Sequence, residues 1–376
     1  MKPTLRHKVA KCVVVLAGIA LSASSAWAGV TIIASPGPFP NIEQAAKGEE
    51  KVDWWDGNLA DDRACTECFA AMELVRFLPL CTVIPENEIQ LVASGKLLPS
   101  GDVMLVGNRA SNPLVASYAL PDSIDLKTDE SYSIRAFREN GRTVTIIEGK
   151  DRVGTLYGVY RYLEQFGMRF YGLGEKGTVY PKVKNPLPSG LNIAENPSFL
   201  TRGYHAWEDR GSDDFFLWMA RNRINFWSAA EKELHLLKKL GMKCADGGHV
   251  IQMMCLNPKT EYPYNHPKFR GDDHKPRDPY SPGKEYSGDA NGDGKLSYFE
   301  AHPEWYGLRK GKRSDNIKDE FGDNFCTSNA DATHELARNV VQSLIDGAWK
   351  NVDILNFWMM DNIGRWCECG NCAKQG

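Results

Sequence analysis

The sequence predicts an α/β protein in two parts: a mixed α/β domain, then about four consecutive βα units. Three observations carry this. Of the 376 residues, 42% are hydrophobic and 25% charged, which supplies ordinary globular cores and excludes disordered, collagen-like and coiled-coil chains. The length suits two domains at roughly 100–200 residues each. Beyond residue 199, strand-like and helix-like stretches alternate in the rhythm of parallel βα units.

Residues 1–28 run from a basic stretch (MKPTLRHKVAK) through an apolar run (CVVVLAGIAL) to the small-residue ending Ala26-Trp27-Ala28. That order reads as a secretory signal peptide cleaved after Ala28, because the apolar run is shorter than the ~20 residues a bilayer span needs. The expected product is secreted or periplasmic, with no membrane span after cleavage. The formal charge is −3, and removal of Lys2, Arg6, Lys8 and Lys11 makes the remainder more acidic, which argues against a nucleic-acid partner.

Residues 29–182 read as the first domain. VTIIA alternates as a strand, a helix is expected from Asp62 to Leu78, and DVMLVG and TVTIIEG are β-branched strands. GTLYGVYRYLEQF spaces Leu156, Val159, Tyr160 and Leu163 along one helix face. The Pro-rich residues 183–198, within YPKVKNPLPSGLNIAENP, read as a linker. The second part, 199–376, then gives strand FLTRGYHAW, helix DDFFLWMARNR, strand INFWSAA, helix EKELHLLKKLG and strand KCADGGHV. An irregular insertion over 256–325 follows, then helix NADATHELARNVVQSLIDG and strand VDILNFWMMD. Without the insertion, this length matches four units at roughly 30 residues each, whereas an eight-unit barrel takes ~250. The expectation is therefore a partial (β/α)8 TIM-type barrel, truncated after its fourth strand, with a small open sheet as the rival.

The segment ESYSIRAFRENGRTVTIIEGKDRVGTLYGVYRYLEQFGMRFYGLGEKGTVYP resembles the N-terminal domain that precedes the catalytic barrel in alpha-glucuronidases of glycoside hydrolase family 67 and, more distantly, in beta-hexosaminidases. The second half, with WMARNRINFW, GGHV, HPEWYGLRKGKR, FCTSN and WCECGNC, resembles the barrel region of a large bacterial secreted family with a WCxCxxC motif. The resemblance implies a glycoside hydrolase-like protein that acts on, or binds, polysaccharide or oligosaccharide. It also implies a catalytic carboxylate at the end of barrel strand four, where this chain has Asp361. The sequence there is Met360-Asp361-Asn362, without the Glu or Asp-Glu pair of those relatives. The alternative function is a non-catalytic carbohydrate-binding or calcium-dependent cell-surface protein.

Glycoside hydrolysis uses two carboxyl groups, one to protonate the leaving oxygen and one as base or nucleophile. Besides Asp361, the carboxylates expected at strand ends are Glu208, Asp209 and Asp246. His249, after Gly247-Gly248, is placed to bond a sugar hydroxyl, and Trp207, Trp227 and Trp366 to stack on a sugar ring. The insertion offers Glu304 and Trp305, with His302, Arg309 and Arg313 beside them, to an acidic sugar.

DANGDGKLSYFE matches the twelve-residue EF-hand calcium loop, D-x-[DN]-x-[DN]-G-x5-E. Asp289, Asn291 and Asp293 would give side-chain oxygens, Lys295 its carbonyl, Ser297 an oxygen directly or through water, and Glu300 a bidentate carboxylate, with Gly294 at the sharp turn. Pro303 cuts the following helix short and no second loop pairs with it, so a shape-holding calcium is expected rather than a sensor. Of ten cysteines, Cys12 lies in the signal, and the odd remainder leaves at least one thiol unpaired or bound to something else. Cys65 and Cys68, on one helix face, read as buried side chains or a local disulfide. Cys326, Cys367, Cys369 and Cys372 fit either disulfides or a tetrahedral zinc.

Overall fold

The computed structural model describes residues 29–95, 98–121, 124–204, 211–227, 234–269, 274–317, 319, 321–362 and 364–375. The signal-like segment, Trp207, Glu208 and Asp209 lie outside them.

In chain order the first domain contains β1 (Val30–Ala34), α1 (Ile42–Ala46), α2 (Leu59–Cys81), β2 (Ile89–Ala93), β3 (Asp102–Val106) and α3 (Pro113–Ser117). It continues with β4 (Tyr132–Glu139), β5 (Arg142–Gly149), α4 (Arg152–Gln165), the short pair β6 (Arg169–Phe170) and β7 (Thr178–Val179), and β8 (Leu191–Glu195). Its sheet has the order β2-β1-β3-β5-β4-β8. β4 is antiparallel to both neighbours, and the other pairs are parallel. Side chains alternate across it: Ile32, Met104 and Ile147 pack under α2 and α4, while Ile33, Leu105 and Ile146 pack on the face that carries Leu114 and Val115 of α3. α2 is longer at both ends than its periodicity suggests. Asn58 accepts the Ala60 amide at its start, and the helix runs through Pro79 to Cys81. The segment expected to be a linker is partly sheet, since β8 pairs along β4 from Tyr132↔Glu195 to Ala136↔Leu191.

The second part contains β9 (Gly203–Tyr204), α5 (Asp213–Arg221), β10 (Phe226–Trp227), α6 (Leu234–Lys239), β11 (Lys243–Gly248) and α7 (Val250–Cys255). After these come α8 (Tyr298–Ala301), the hairpin β12 (Leu308–Arg309) and β13 (Lys312–Arg313), α9 (Ala330–Ile345) and β14 (Ile354–Phe357). β9, β10, β11 and β14 form a parallel sheet in that order, each beside its predecessor in the βα series. The four expected strands are therefore present in an ordered parallel sheet, with no α-helix after the fourth among the described residues. The fourth strand ends at Phe357, shorter than the expected Val352–Met360 run.

The insertion has its own core. Trp305, Tyr262, Tyr306, Tyr298 and Leu296 pack with Ile251 and Cys255 of α7, Leu336 of α9 and Met360 beyond β14. Aromatic contacts hold it together, with His302 stacked on Trp305 at 4.1 Å and His266 on Tyr286 at 4.3 Å. At its centre the buried carboxylate of Glu335 accepts from the hydroxyls of Tyr264, Tyr280 and Tyr298 and from Arg338.

Candidate functional site

The carboxyl ends of β11 and β14 meet at Gly247-Gly248-His249 and Trp358-Met359-Met360-Asp361. Both glycines have positive φ, 95° and 76°. A Cβ on Gly247 would sit 2.3 Å from the Asn356 carbonyl, so the close approach of β14 demands glycine there. The ring of His249 meets Trp358 edge-on at 5.1 Å, and its Nδ1 contacts the Met359 carbonyl.

The two residues flanking Asp361 are pinned by the insertion. The Asn324 side chain accepts the Met360 amide at 3.1 Å, and the Asn362 side chain donates to the Gly322 carbonyl. Asp361 itself is exposed, four residues beyond the end of β14. A cavity of about 640 Å³ opens elsewhere, at the amino-terminal ends of β1, β3 and β5 in the first domain, between Arg138, Arg142, Asp102 and Leu187, and takes in no residue of the second part. The residues that follow β9 and β10 lie outside the described residues, so among the described strand ends Asp361 is bordered only by those of β11 and β14.

Several residues expected to meet a sugar are committed to the interior instead. Trp305 is 1% exposed and Trp227 5% exposed, the latter packed against Phe215 and Phe216. His302 is fully buried, and Glu304 is turned onto it, with Oε1 2.9 Å from Nδ1. Arg309 pairs with Glu368 at 2.8 Å and Arg313 with Glu285 at 2.8 Å. The HPEWYGLRKGKR segment thus faces its own core and the neighbouring loops, because indole burial and paired charges outweigh exposure for a ligand. Trp366 remains exposed. Asp246 is exposed within β11, its carboxylate accepting the Gly247 amide at 2.7 Å.

The EF-hand-like loop is folded around its acidic residues. Asp289 accepts the amides of Gly292, Asp293 and Gly294, Asn291 accepts that of Asp293, and Asp293 accepts that of Lys295. Gly292 and Gly294 adopt φ of 73° and 80° at the two sharp turns. Glu300 reaches back to the Ala290 amide with one oxygen and to Ser297 with the other, completing a capping box at the start of α8. Leu296 is buried, and its carbonyl accepts the Tyr262 amide at 2.7 Å. A bridge between Glu261 and Ser297 supplies the strand-like partner that a second loop would otherwise give.

The cysteines of the second part gather as a group. The sulfurs of Cys326, Cys367, Cys369 and Cys372 all lie within 4.8 Å of one another. They are free thiols, as are the buried Cys65 and Cys68 of α2. Ser328 Oγ stands 3.0 Å from Cys372 and 3.4 Å from Cys369. Burial opposes the Cys369 thiolate, but hydrogen bonds from Ser328, the Cys372 amide and the adjoining thiols outweigh it and bring the group down to about 6.

One cluster has no counterpart in the sequence reading. His266, Asp278 and His302 converge within 4.8 Å, all buried. Both nitrogens of His302 are engaged, Nδ1 with Glu304 and Nε2 with the Tyr262 hydroxyl at 2.9 Å, while that hydroxyl donates to Asp278 at 2.9 Å. In this arrangement His302 has no lone pair free for a metal, and hydrogen bonds tie it to Glu304 and, through Tyr262, to Asp278, while His266 Nε2 and Asp278 Oδ2 are buried without a hydrogen-bond partner. No short motif announces it, since His266 and His302 are joined only by the folding of the insertion.

Residues 39–162 match the family described as Glycosyl hydrolase family 67 N-terminus. The first domain is similar to that domain. No curated protein matches the chain. Similar solved structures include a novel family GH115 4-O-methyl-alpha-glucuronidase, BtGH115A, with specificity for decorated arabinogalactans, at 12% identity and TM-score 0.37 over 63% of this chain and 32% of that one. They also include CpGH84D, at 12% identity and TM-score 0.33 over 64% and 36%. A third is a GH138 enzyme targeting pectin rhamnogalacturonan II, at 11% identity and TM-score 0.28 over 58% and 32%. The chain spans about a third of the length of these structures. The match at residues 39–162 agrees with the family-67 resemblance read from the sequence. No helix among the described residues is long and apolar enough to cross a membrane.

Proposed function

We propose that this chain works outside the cytoplasm as a glycoside hydrolase-like protein of polysaccharide degradation, with its sugar site at the carboxyl ends of β11 and β14. The family-67-like domain at residues 39–162 carries this reading. The in-order parallel sheet β9-β10-β11-β14 supports a barrel of consecutive βα units, whose strand ends are where such folds place their chemistry. Asp361 is the proposed general acid. Its neighbours Met360 and Asn362 are fixed by Asn324 and Gly322, so its backbone position is held while its carboxyl stays open to a leaving oxygen. Trp366 and His249 are the proposed sugar contacts, through ring stacking and hydroxyl bonding. Calcium in the Asp289–Glu300 loop would brace the insertion that holds those neighbours.

A binding-only role is the second reading. It is favoured by the exposure of the Asp361 side chain, since an enclosed, dry setting is what strengthens acid catalysis. An activity screen on uronic-acid and hexosamine glycosides, with the protein beside its Asp361→Asn variant, decides between them. The expected result is hydrolysis that falls roughly 10²-fold or more in the variant. Equal hydrolysis by both removes Asp361 from the mechanism, and saturable sugar binding without turnover favours the binding-only role.

A further inference from the structure

The four clustered cysteines come from two distant parts of the second half. Cys326 precedes α9, and Cys367, Cys369 and Cys372 follow β14. Cys326 Sγ lies 3.7 Å from Cys369 Sγ and 3.8 Å from Cys372 Sγ. A disulfide would require ~2.05 Å. Four thiolates at ~2.3 Å from one tetrahedral ion stand about 3.8 Å apart along each edge. A polynuclear iron–sulfur cluster places several atoms between its cysteines and would spread them further. The observed spacing is that of a single soft ion.

The surroundings complete the site. The Leu308 amide donates to Cys367 Sγ at 3.3 Å, the Cys372 amide to Cys369 Sγ at 3.5 Å, and Arg313 approaches Cys367 Sγ at 3.8 Å. These donors offset the negative charge that four coordinated thiolates would concentrate.

We propose that Cys326, Cys367, Cys369 and Cys372 bind one structural zinc that latches the chain after β14 to the start of α9 and to the β12–β13 hairpin. Each coordinating thiol gives up its proton to solvent and no electron moves, so the site needs no oxidant or reductant. The latch extends beyond the sulfurs. The Glu368 amide donates to the Leu308 carbonyl at 2.8 Å, the Lys310 amide to the Glu368 carboxylate at 2.6 Å, and Arg309 to the Trp366 carbonyl at 2.8 Å. Zinc therefore fixes residues 364–375 against the hairpin and holds Trp366 in place. With all four positions filled by protein, the ion has no open coordination site and serves structure rather than catalysis.

The test is metal analysis of the full chain purified without added metal, then zinc titration of the chelated, thiol-reduced protein. The expected result is one zinc per chain that survives dialysis, loss of that zinc in Cys369→Ser and Cys372→Ser, and its retention in Cys81→Ser, which alters a buried thiol of the first domain. Zinc removal should speed protease cleavage within residues 361–375 and leave the first domain's fragments unchanged. Should the serine variants fail to fold, cobalt substitution of the natural protein keeps the question open to decision, because tetrahedral tetrathiolate coordination gives intense visible absorption. An intact mass showing two disulfides among these cysteines without zinc would overturn the proposal. So would zinc that persists in a Cys326→Ser/Cys372→Ser double variant, or iron in place of zinc.

Discussion

His302 shows how a single buried side chain stores a pH dependence. Burial alone would lower its pKa, but hydrogen bonding with the Asp278 and Glu304 carboxylates outweighs that and raises it. Its neighbour His266 goes the other way, lowered by burial and by the charge of His302. The two rings lie 5.6 Å apart, and their pKa values are pushed in opposite directions. Because the folded pKa of His302 is raised above its unfolded value near 6.5, its contribution is fully present below that pH and is lost as pH rises through the folded pKa. Urea unfolding at pH 6 and pH 9 should show His302→Gln costing roughly 1.5–3 kcal/mol at the lower pH and clearly less at the higher one. A cost independent of pH would mean that His302 is neutral in the folded protein.

At the scale of elements, the EF-hand-like loop joins two devices in one carboxylate. Glu300 is both the twelfth loop position and the capping-box residue of α8. Glutamine preserves the cap but gives up the charge and the bidentate oxygens. Glu300→Gln should therefore fold with α8 intact yet show no calcium heat by calorimetry. The natural protein should gain about 2.7 kcal/mol of stability when calcium reaches a hundredfold excess over its dissociation constant. Undiminished calcium heat in the variant would place the ion elsewhere. The pairing of Leu296 with Tyr262 and of Ser297 with Glu261 gives the lone loop its missing partner, and that pairing joins residues 34 and 36 positions apart with no signal in the loop motif itself.

Across the whole molecule, the family-67-like domain and the first βα units share one hydrophobic core. Phe216, Met219, Trp227 and Leu237 belong to the same buried cluster as Phe77, Leu156 and Tyr160. Arg221 of α5 forms a buried, bidentate pair with Glu73 of α2, to which Tyr160 also donates. Arg152 of α4 donates to the carbonyls of Lys238 and Lys239 at the end of α6 and lies over the Trp54 ring. Arg221→Met strips the buried Glu73 of its bidentate partner and leaves it the Tyr160 hydroxyl and the half-exposed Arg76 at 3.7 Å, at a cost of up to about 3–5 kcal/mol. Adding Glu73→Gln removes the stranded charge while keeping an acceptor for Tyr160, and should recover much of the loss. A double-mutant cycle by thermal unfolding checks this, and the natural protein should melt in one transition spanning both parts. Two separate transitions would mean that the shared core does not couple them.

The alternation of strands and helices, the family-67-like stretch, the twelve-residue loop and the cysteine spacing were legible along the chain. Each is a local pattern, set by side-chain periodicity or by ligands a few residues apart. Which way a residue faces was not. HPEWYGLRKGKR reads as a ligand-facing strip, yet Trp305 and His302 turn inward, because the insertion's apolar and aromatic surface needs a core of its own. Trp227 likewise goes to the packed interior shared by the two domains. The meeting of Cys326 with Cys367, Cys369 and Cys372, of Arg221 with Glu73 and of His266 with His302 joins residues far apart in sequence. Such meetings depend on how separate elements pack to remove apolar surface from water, and only the tertiary structure decides that.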